Sequence, residues 1–564
     1  MRVLPIVTAG LLGLGALGTA AWAKPQEPLP ASLPDVPVVS CSDYLGARFA
    51  AAHHDLPAAA RLFDSCLRRT PDNGQLLASA FFYAAASGNI DDSARLAKKL
   101  VAVQPTQRMA HLVLASVALK DQDYSRARAE IGSANKDILA AYGVQLLDAW
   151  AMAGDGQGAA AEKLLQALHK QIGADAAAGF NEALLADYLG NPEKAAAIYR
   201  KTLQTAGPSP RLVDAYGRFL ERSGQHKEAE QLYQTVKADP SAQPVALAGL
   251  ARLAAGVKPK ALVSSPQEGA AEALLGIASL LSDDANADVS ILFLHLTLYL
   301  RPDFELAQLL MADRLETVEN YEAAIAVYDE VKPTSAYYRL AGVQSASDKV
   351  LLKKPDEALK QIRALSALYP NDLDIWISYG DLLRQMEHND EAVKVYGKAI
   401  ALLGKPDKKQ WMLYYARATA AQSAGNWAEA EADLKQALQL NPEEPQILNF
   451  LGYSWVDRHE NLTQAMAMLE KANKLAPDNG YITDSVGWAY FRLGRFGDAT
   501  SKLELAVQQE PGDATINDHL GDAYWKMGRK LEAGFQWNHA LAFGPDATEK
   551  NKILTKLKDV PASE

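Results

Sequence analysis

Small and large apolar residues return along this chain at a fixed interval of 34 positions. With residue 40 taken as position 1, units begin at 40, 74, 108, 142, 176 and 210. A second block begins at 271 and continues at 305, 339, 373, 411, 445, 480 and 514, with one inserted loop of four residues and one of a single residue. Position 20 of the fourteen units is Ala59, Ser93, Ala127, Ala161, Ala195, Ala229, Ser290, Ala324, Ala358, Ala392, Ala430, Ala465, Ala499 and Ala533. Glycine recurs at position 8 (Gly217, Gly380, Gly452, Gly487, Gly521), a large apolar residue at position 24 (Phe63, Tyr199, Tyr233, Tyr328, Tyr396, Leu503), and proline at position 32, as in Pro71, Pro302 and Pro511. Position 15 holds Gly88, Gly156, Gly190, Gly224, Gly425, Gly494 and Gly528. The pattern predicts two helices per unit. The second helix crosses the first at position 20, where a side chain larger than a methyl would overpack the crossing by about 1–3 kcal/mol. Position 24 plugs the space between repeats, the glycine at 15 ends the first helix in the left-handed conformation, and the proline at 32 stops the second.

A 34-residue helix-turn-helix period is similar to that of the tetratricopeptide repeat family. The resemblance covers residues 40 to 547 apart from one gap and is strongest from 373 onward, as in GYITDSVGWAYFRLGRFGDATSKLELAVQQEP at 480 to 511. The unit at 271 has Ser290 at position 20 and no turn glycine, so its assignment rests on register. The resemblance implies an all-α fold, a right-handed α-solenoid of about fourteen units with a break near 244–270. There PVALAGLARLAAG is followed by VKPKALVSSPQEG, which has two prolines and no helical period, the mark of a hinge or a flattened half-repeat. The expected organisation is an N-terminal arm over 40–243, an irregular hinge over 244–270, a C-terminal arm over 271–547, and a capping helix and tail over 548–564. Within the cap, Ile553, Leu554 and Leu557 form an apolar face that covers the last repeat, and lysines form the other.

Before the repeats, residues 1–23 carry Arg2, an apolar run from about Val3 to Leu17 and the triplet Ala21-Trp22-Ala23, the pattern of a cleaved secretory signal. An uncleaved N-terminal anchor is the alternative, although the run is shorter than the roughly 20 residues a membrane span needs. Residues 24–39 form a proline-rich leader. In an exported chain with only two cysteines, Cys41 and Cys66 are read as one disulfide. Closing a loop of that length stabilises the fold by about 3 kcal/mol. Export predicts a periplasmic location.

Alanine, leucine and charged residues dominate, which agrees with helix throughout. The net charge of −11 and the absence of any basic tract argue against nucleic-acid binding. No HExxH, CxxC or GxxxxGK[ST] occurs, the ten histidines are scattered apart from His53-His54, and neither an enzyme nor a cofactor is expected. The run Asp283-Asp284-Ala285-Asn286-Ala287-Asp288 is read as a helix cap in preference to a calcium loop.

In the tetratricopeptide family the first helix of each unit lines the groove through positions 2, 5, 9, 12 and 13. That resemblance places Tyr415, Tyr453, Tyr481, Asp484, Trp488, Phe491, Arg492, Asp518, Asp522, Trp525 and Lys526 on the groove of the C-terminal arm, a mixture of aromatic and charged groups typical of protein-binding hot spots. The N-terminal arm has a plainer lining with Phe82, Leu112, Trp150 and Phe180. The last hundred residues, through LGYSWVDR, DSVGWAYFRLGR and HLGDAYW, resemble periplasmic repeat adaptors that bind a carboxyl-terminal processing protease and present cell-wall hydrolases to it. This resemblance implies a protein-binding adaptor with such partners. A scaffold in an envelope assembly or polysaccharide export machine is the alternative.

Overall fold

A computed structural model describes residues 42–134, 141–171, 175–281, 283–404 and 406–560. The expected signal and leader segments and Cys41 lie outside the described residues, and Cys66 is fully buried.

Among the described residues the chain has thirty α-helices, two 3-10 turns and no strand. The first six helix pairs are α1 (Asp43–Ala52) with α2 (Leu56–Arg69), α3 (Gly74–Ala86) with α4 (Ile90–Val103), α5 (Arg108–Lys120) with α6 (Tyr124–Ala134), α7 (Ala141–Gly154) with α8 (Gly158–Leu168), α9 (Asp175–Tyr188) with α10 (Pro192–Ala206), and α11 (Pro210–Arg222) with α12 (His226–Val236). A single helix follows, α13 (Gln243–Ala255). Next come α14 (Pro266–Leu280) with α15 (Ala287–Leu300), α16 (Glu305–Thr317) with α17 (Tyr321–Asp329), α18 (Tyr338–Leu351) with α19 (Pro355–Leu368), and α20 (Leu373–Gln385) with α21 (Asn389–Leu402). The last four pairs are α22 (Trp411–Ser423) with α23 (Trp427–Leu440), α24 (Pro445–Asp457) with α25 (Leu462–Leu475), α26 (Gly480–Arg492) with α27 (Phe496–Gln509), and α28 (Ala514–Lys526) with α29 (Lys530–Ala542), followed by α30 (Ala547–Leu557).

The repeat positions act as their chemistry requires. All fourteen residues of the position-20 column have 0% exposure. The glycine at position 8 and the large residue at position 24 are partners within one unit: a Cβ on Gly217 would meet the Tyr233 ring at 2.4 Å and its hydroxyl at 2.1 Å, and one on Gly521 the Trp537 indole at 2.5 Å. The plug thus seats on the first helix of its own pair, a closer contact than the one expected between repeats. At position 15 all seven glycines have φ between +74° and +81°. His54, Gln122, Glu319, Lys353, Glu387 and His459 occupy the same position in other units, with φ between +54° and +63°. The turn geometry is therefore kept where glycine is absent, at the strain an L-residue carries there.

The helices form two compact units, Met1–Ala358 and Leu359–Glu564. The boundary falls at Ala358, and the segment 244–270 lies inside the first unit. Helix α13 packs on α11 and α12, and α14 and α15 pack against α3, α5, α7 and α9, the first helices of the N-terminal pairs. A Cβ on Gly269 would sit 2.1 Å from the Trp150 indole, and one on Gly143 2.5 Å from Ile277. Gln267 donates to the Tyr124 hydroxyl at 3.1 Å, and His54 Nδ1 meets Asp288 Oδ1 at 2.7 Å. The physical reason is apolar on all sides: Ala271, Leu274 and Leu275 on α14 and Ile291, Leu292 and Leu294 on α15 are buried on opposing faces, so the pair must be covered twice. The first unit accordingly has one continuous core from Ala47 to Ala341. In the run before α15, Asn286 stands at the N-cap, but its side chain donates to Asp283 at 2.6 Å and makes no capping bond, and a 3-10 turn over Asp284–Asn286 leads into the helix.

Candidate protein-binding face of the second unit

In the second unit the first helices α22, α24, α26 and α28 place positions 5, 9 and 12 side by side. Trp411, Tyr415 and Phe450 form an edge-to-face chain, with centroids 5.8 and 5.6 Å apart. Beyond them, burial together with the Asp484 and Asp457 carboxylates pushes the half-buried Tyr453 hydroxyl up to about 12. Trp488 is stacked between Phe491 at 4.8 Å and the His519 imidazole at 3.9 Å. His519 Nδ1 lies 2.9 Å from Asp484 Oδ1, and both residues are buried. Burial works against the imidazolium, but the Asp484, Asp518 and Asp522 carboxylates outweigh it and raise the His519 pKa.

At the end of the unit, Lys556 on α30 reaches Asp518 at 2.8 Å and Asp522 at 2.7 Å. The Trp537 indole donates to Asp522 at 3.1 Å, and Trp525 packs on Trp537 with centroids 5.5 Å apart. Arg492 Nη1 bonds the Asp457 carboxylate at 2.9 Å, while Nη2 contacts the Asp457 carbonyl at 3.1 Å and His459 at 2.7 Å. Two buried amide oxygens on this set of helices, Gln422 Oε1 at position 12 and Asn449 Oδ1 at position 5, have no hydrogen-bond partner. Buried acceptors are ordinarily paired, and these two are exceptions. Tyr481 stands 55% exposed beside this row.

Profiles described as tetratricopeptide repeat match residues 83–135, 180–243, 373–402 and 415–480. The chain carries tetratricopeptide repeats. It is also similar to a TPR repeat-containing protein of Pseudomonas aeruginosa, 29% identical over 179 residues, which are 31% of this chain and 29% of that protein. The matched stretch is therefore under a third of the relative's length. Among solved structures, the chain is similar to the APC/C hetero-tetramer Cut9-Hcn1 (TM-score 0.36, 16% identity, 86% of this chain and 96% of that one). It is also similar to a tetratricopeptide repeat protein from Parabacteroides merdae (TM-score 0.39, 14% identity, 45% and 99%) and to yeast Tom70 (TM-score 0.34, 15% identity, 74% and 95%).

Of the residues that repeat register places on the groove, Tyr453, Asp484, Trp488 and Phe491 share one face, and Tyr415 belongs to the aromatic chain beside them. Asp518, Asp522 and Trp525 are engaged by α29 and α30, and Arg492 is engaged by the turn after α24. Lys526 is exposed. Sequence reasoning missed His519, which lies at position 6 and forms the other wall of the Trp488 stack, and Lys556, assigned to the solvent side of the cap. Leu554, assigned to the apolar side, is 43% exposed, while Ile553 is buried. The cap turns about Ile553 so that Lys556 points at the acids. In the first unit, Trp150 and Leu112 are buried and Phe82 and Phe180 pack against the same core. That plainer lining is the bed of α14 and α15.

Proposed function

We propose that this chain is an exported, non-catalytic adaptor of the periplasm that captures partner proteins on the first-helix face of its second unit. The observation that carries the reading is a contrast between the two repeat sets. The equivalent face of the first unit is covered by α14 and α15, whereas in the second unit Tyr481, Trp488, Phe491 and Tyr453 keep aromatic surface. Large amphipathic rings among polar groups supply much of the energy of protein recognition. An envelope protease of the carboxyl-terminal processing class, with cell-wall hydrolases as its substrates, is the partner set this reading favours, on the resemblance of the last repeats. Two weak contacts held by one chain would act together.

The test is capture from periplasmic extract by the immobilised full chain and by a Tyr481→Ala, Trp488→Ala variant. Loss of a protease and hydrolases by tenfold or more, with helicity unchanged by circular dichroism, is expected. Equal capture by the two chains would remove this face from the reading, and recovery of a synthase or porin in place of the protease would convert the adaptor into a scaffold.

A further inference from the structure

Where the repeat pattern breaks, the first unit encloses a cavity of about 260 Å³, near the lower end of small-molecule sites. Its walls come from α11, the unpaired α13, the strap carrying Leu262, the start of α16 and the residues just before α18. Four guanidinium groups converge on it, those of Arg211, Arg218, Arg252 and Arg301.

Each guanidinium is anchored by a carboxylate. Arg211 bonds Glu272 and, at 3.5 Å, Asp214; Arg218 Nε bonds Asp214 at 2.6 Å; Arg252 bonds Glu221 at 2.7 Å; and Arg301 lies 3.4 Å from Glu272. The guanidinium planes are thus held in place before any ligand arrives, and Phe304 lies under two of them, 5.0 Å from Arg211 and 4.6 Å from Arg301.

Two donors in the lining are left over. The Tyr337 hydroxyl, on a residue only 8% exposed, has no hydrogen-bond partner, and neither does the buried Nε of Arg301, which lies 3.8 Å from Asp303 Oδ1. Burial pushes the Tyr337 pKa up, so its hydroxyl stays a donor. Unpaired buried donors cost free energy unless something accepts from them. The four arginines meet three buried carboxylates, those of Asp214, Glu221 and Glu272, while Asp303 and Glu305 stand at the more exposed rim, so the buried set carries a single excess positive charge that suits one negative charge and disfavours a dianion. Val245, Leu262 and Phe304 add apolar wall.

We propose that this cavity binds a small organic monocarboxylate, its carboxylate accepting from Tyr337 and the arginine cluster and its carbon chain lying against the apolar wall. Charge-assisted bonds to a guanidinium fork are the preferred recognition of that group. The site is independent of the partner-binding face.

Titration calorimetry of the full chain with butyrate, butyramide and inorganic phosphate, at matched ionic strength, tests this. Saturable binding of butyrate, with the amide and phosphate each at least tenfold weaker, is expected. Tyr337→Phe should weaken butyrate by about tenfold while leaving the unliganded melting temperature equal or higher, because an unpaired buried hydroxyl is removed. Arg218→Gln, on a more exposed guanidinium, should weaken butyrate similarly and provides the second variant. Absence of butyrate binding, equal binding of the amide, tighter binding of phosphate, or unchanged affinity in both variants would overturn the proposal.

Discussion

Lys556 sits where two aspartates of one helix would otherwise face each other. Asp518 and Asp522 are four residues apart on α28, and burial with the neighbouring carboxylate raises the Asp522 pKa against the pull of Lys556. Replacing Lys556 by Met keeps the aliphatic stem and removes the charge. The variant should lose about 1–2 kcal/mol in urea unfolding, a value discounted for partial exposure, and Asp518→Asn in the same chain should recover part of it. The six non-glycine residues in the left-handed turn are a second residue-scale effect. Gln122, with φ of +63°, carries a cost that glycine avoids. Gln122→Gly should therefore stabilise the first unit by up to about 1 kcal/mol in thermal or urea unfolding, the gain reduced by the greater freedom of glycine in the unfolded chain.

Between neighbouring elements, the contact of α16, α17 and α18 carries a buried acid pair. Glu316 accepts from the Tyr328 hydroxyl at 2.6 Å and from Gln344 at 3.1 Å, and Asp348 is 1% exposed. Burial pushes Glu316 up to about 7, and burial with the Glu316 charge pushes Asp348 up to about 8. A carboxyl whose pKa is higher in the folded state binds its proton more tightly there, so folding is favoured on the acid side and stability falls as pH rises through the window from the ordinary carboxylate range to about 8. The melting temperature should decline between pH 5 and pH 8, and Asp348→Asn should flatten that decline. His519 shifts in the same direction for a different reason, stabilisation of its cation by Asp484, so the Asp348 variant is what separates the two contributions.

For the molecule as a whole, the two units are built on different principles. Residues of the first share one continuous core because α14 and α15 bridge helices far apart in sequence, whereas the second has local cores between neighbouring repeats, one around Leu434 and Leu451 and another around Leu503 and Trp537. Solenoid stability of the second kind is a sum of neighbour terms, and such elements open locally. In hydrogen exchange, α5, α7, α14 and α15 should therefore protect as a group. Gly269→Ala, which forces a methyl into the Trp150 indole, should lower protection across that group together and cost about 1–3 kcal/mol, and a change confined to α14 would show that no shared core exists. What the sequence determined alone was the repeat itself: the seven glycine turns and the whole position-20 column follow from contacts within 34 residues, where small, large and left-handed positions leave one way to pair two helices. The exception was informative, since the unit at 271 departs from the pattern and is apolar on faces that a solenoid helix leaves polar. Which surface that unit would cover, and where Lys556 would point, was settled only in three dimensions. Both depend on packing between segments more than a repeat apart, and apolar contact is non-directional, so the one-dimensional pattern carries no address for it.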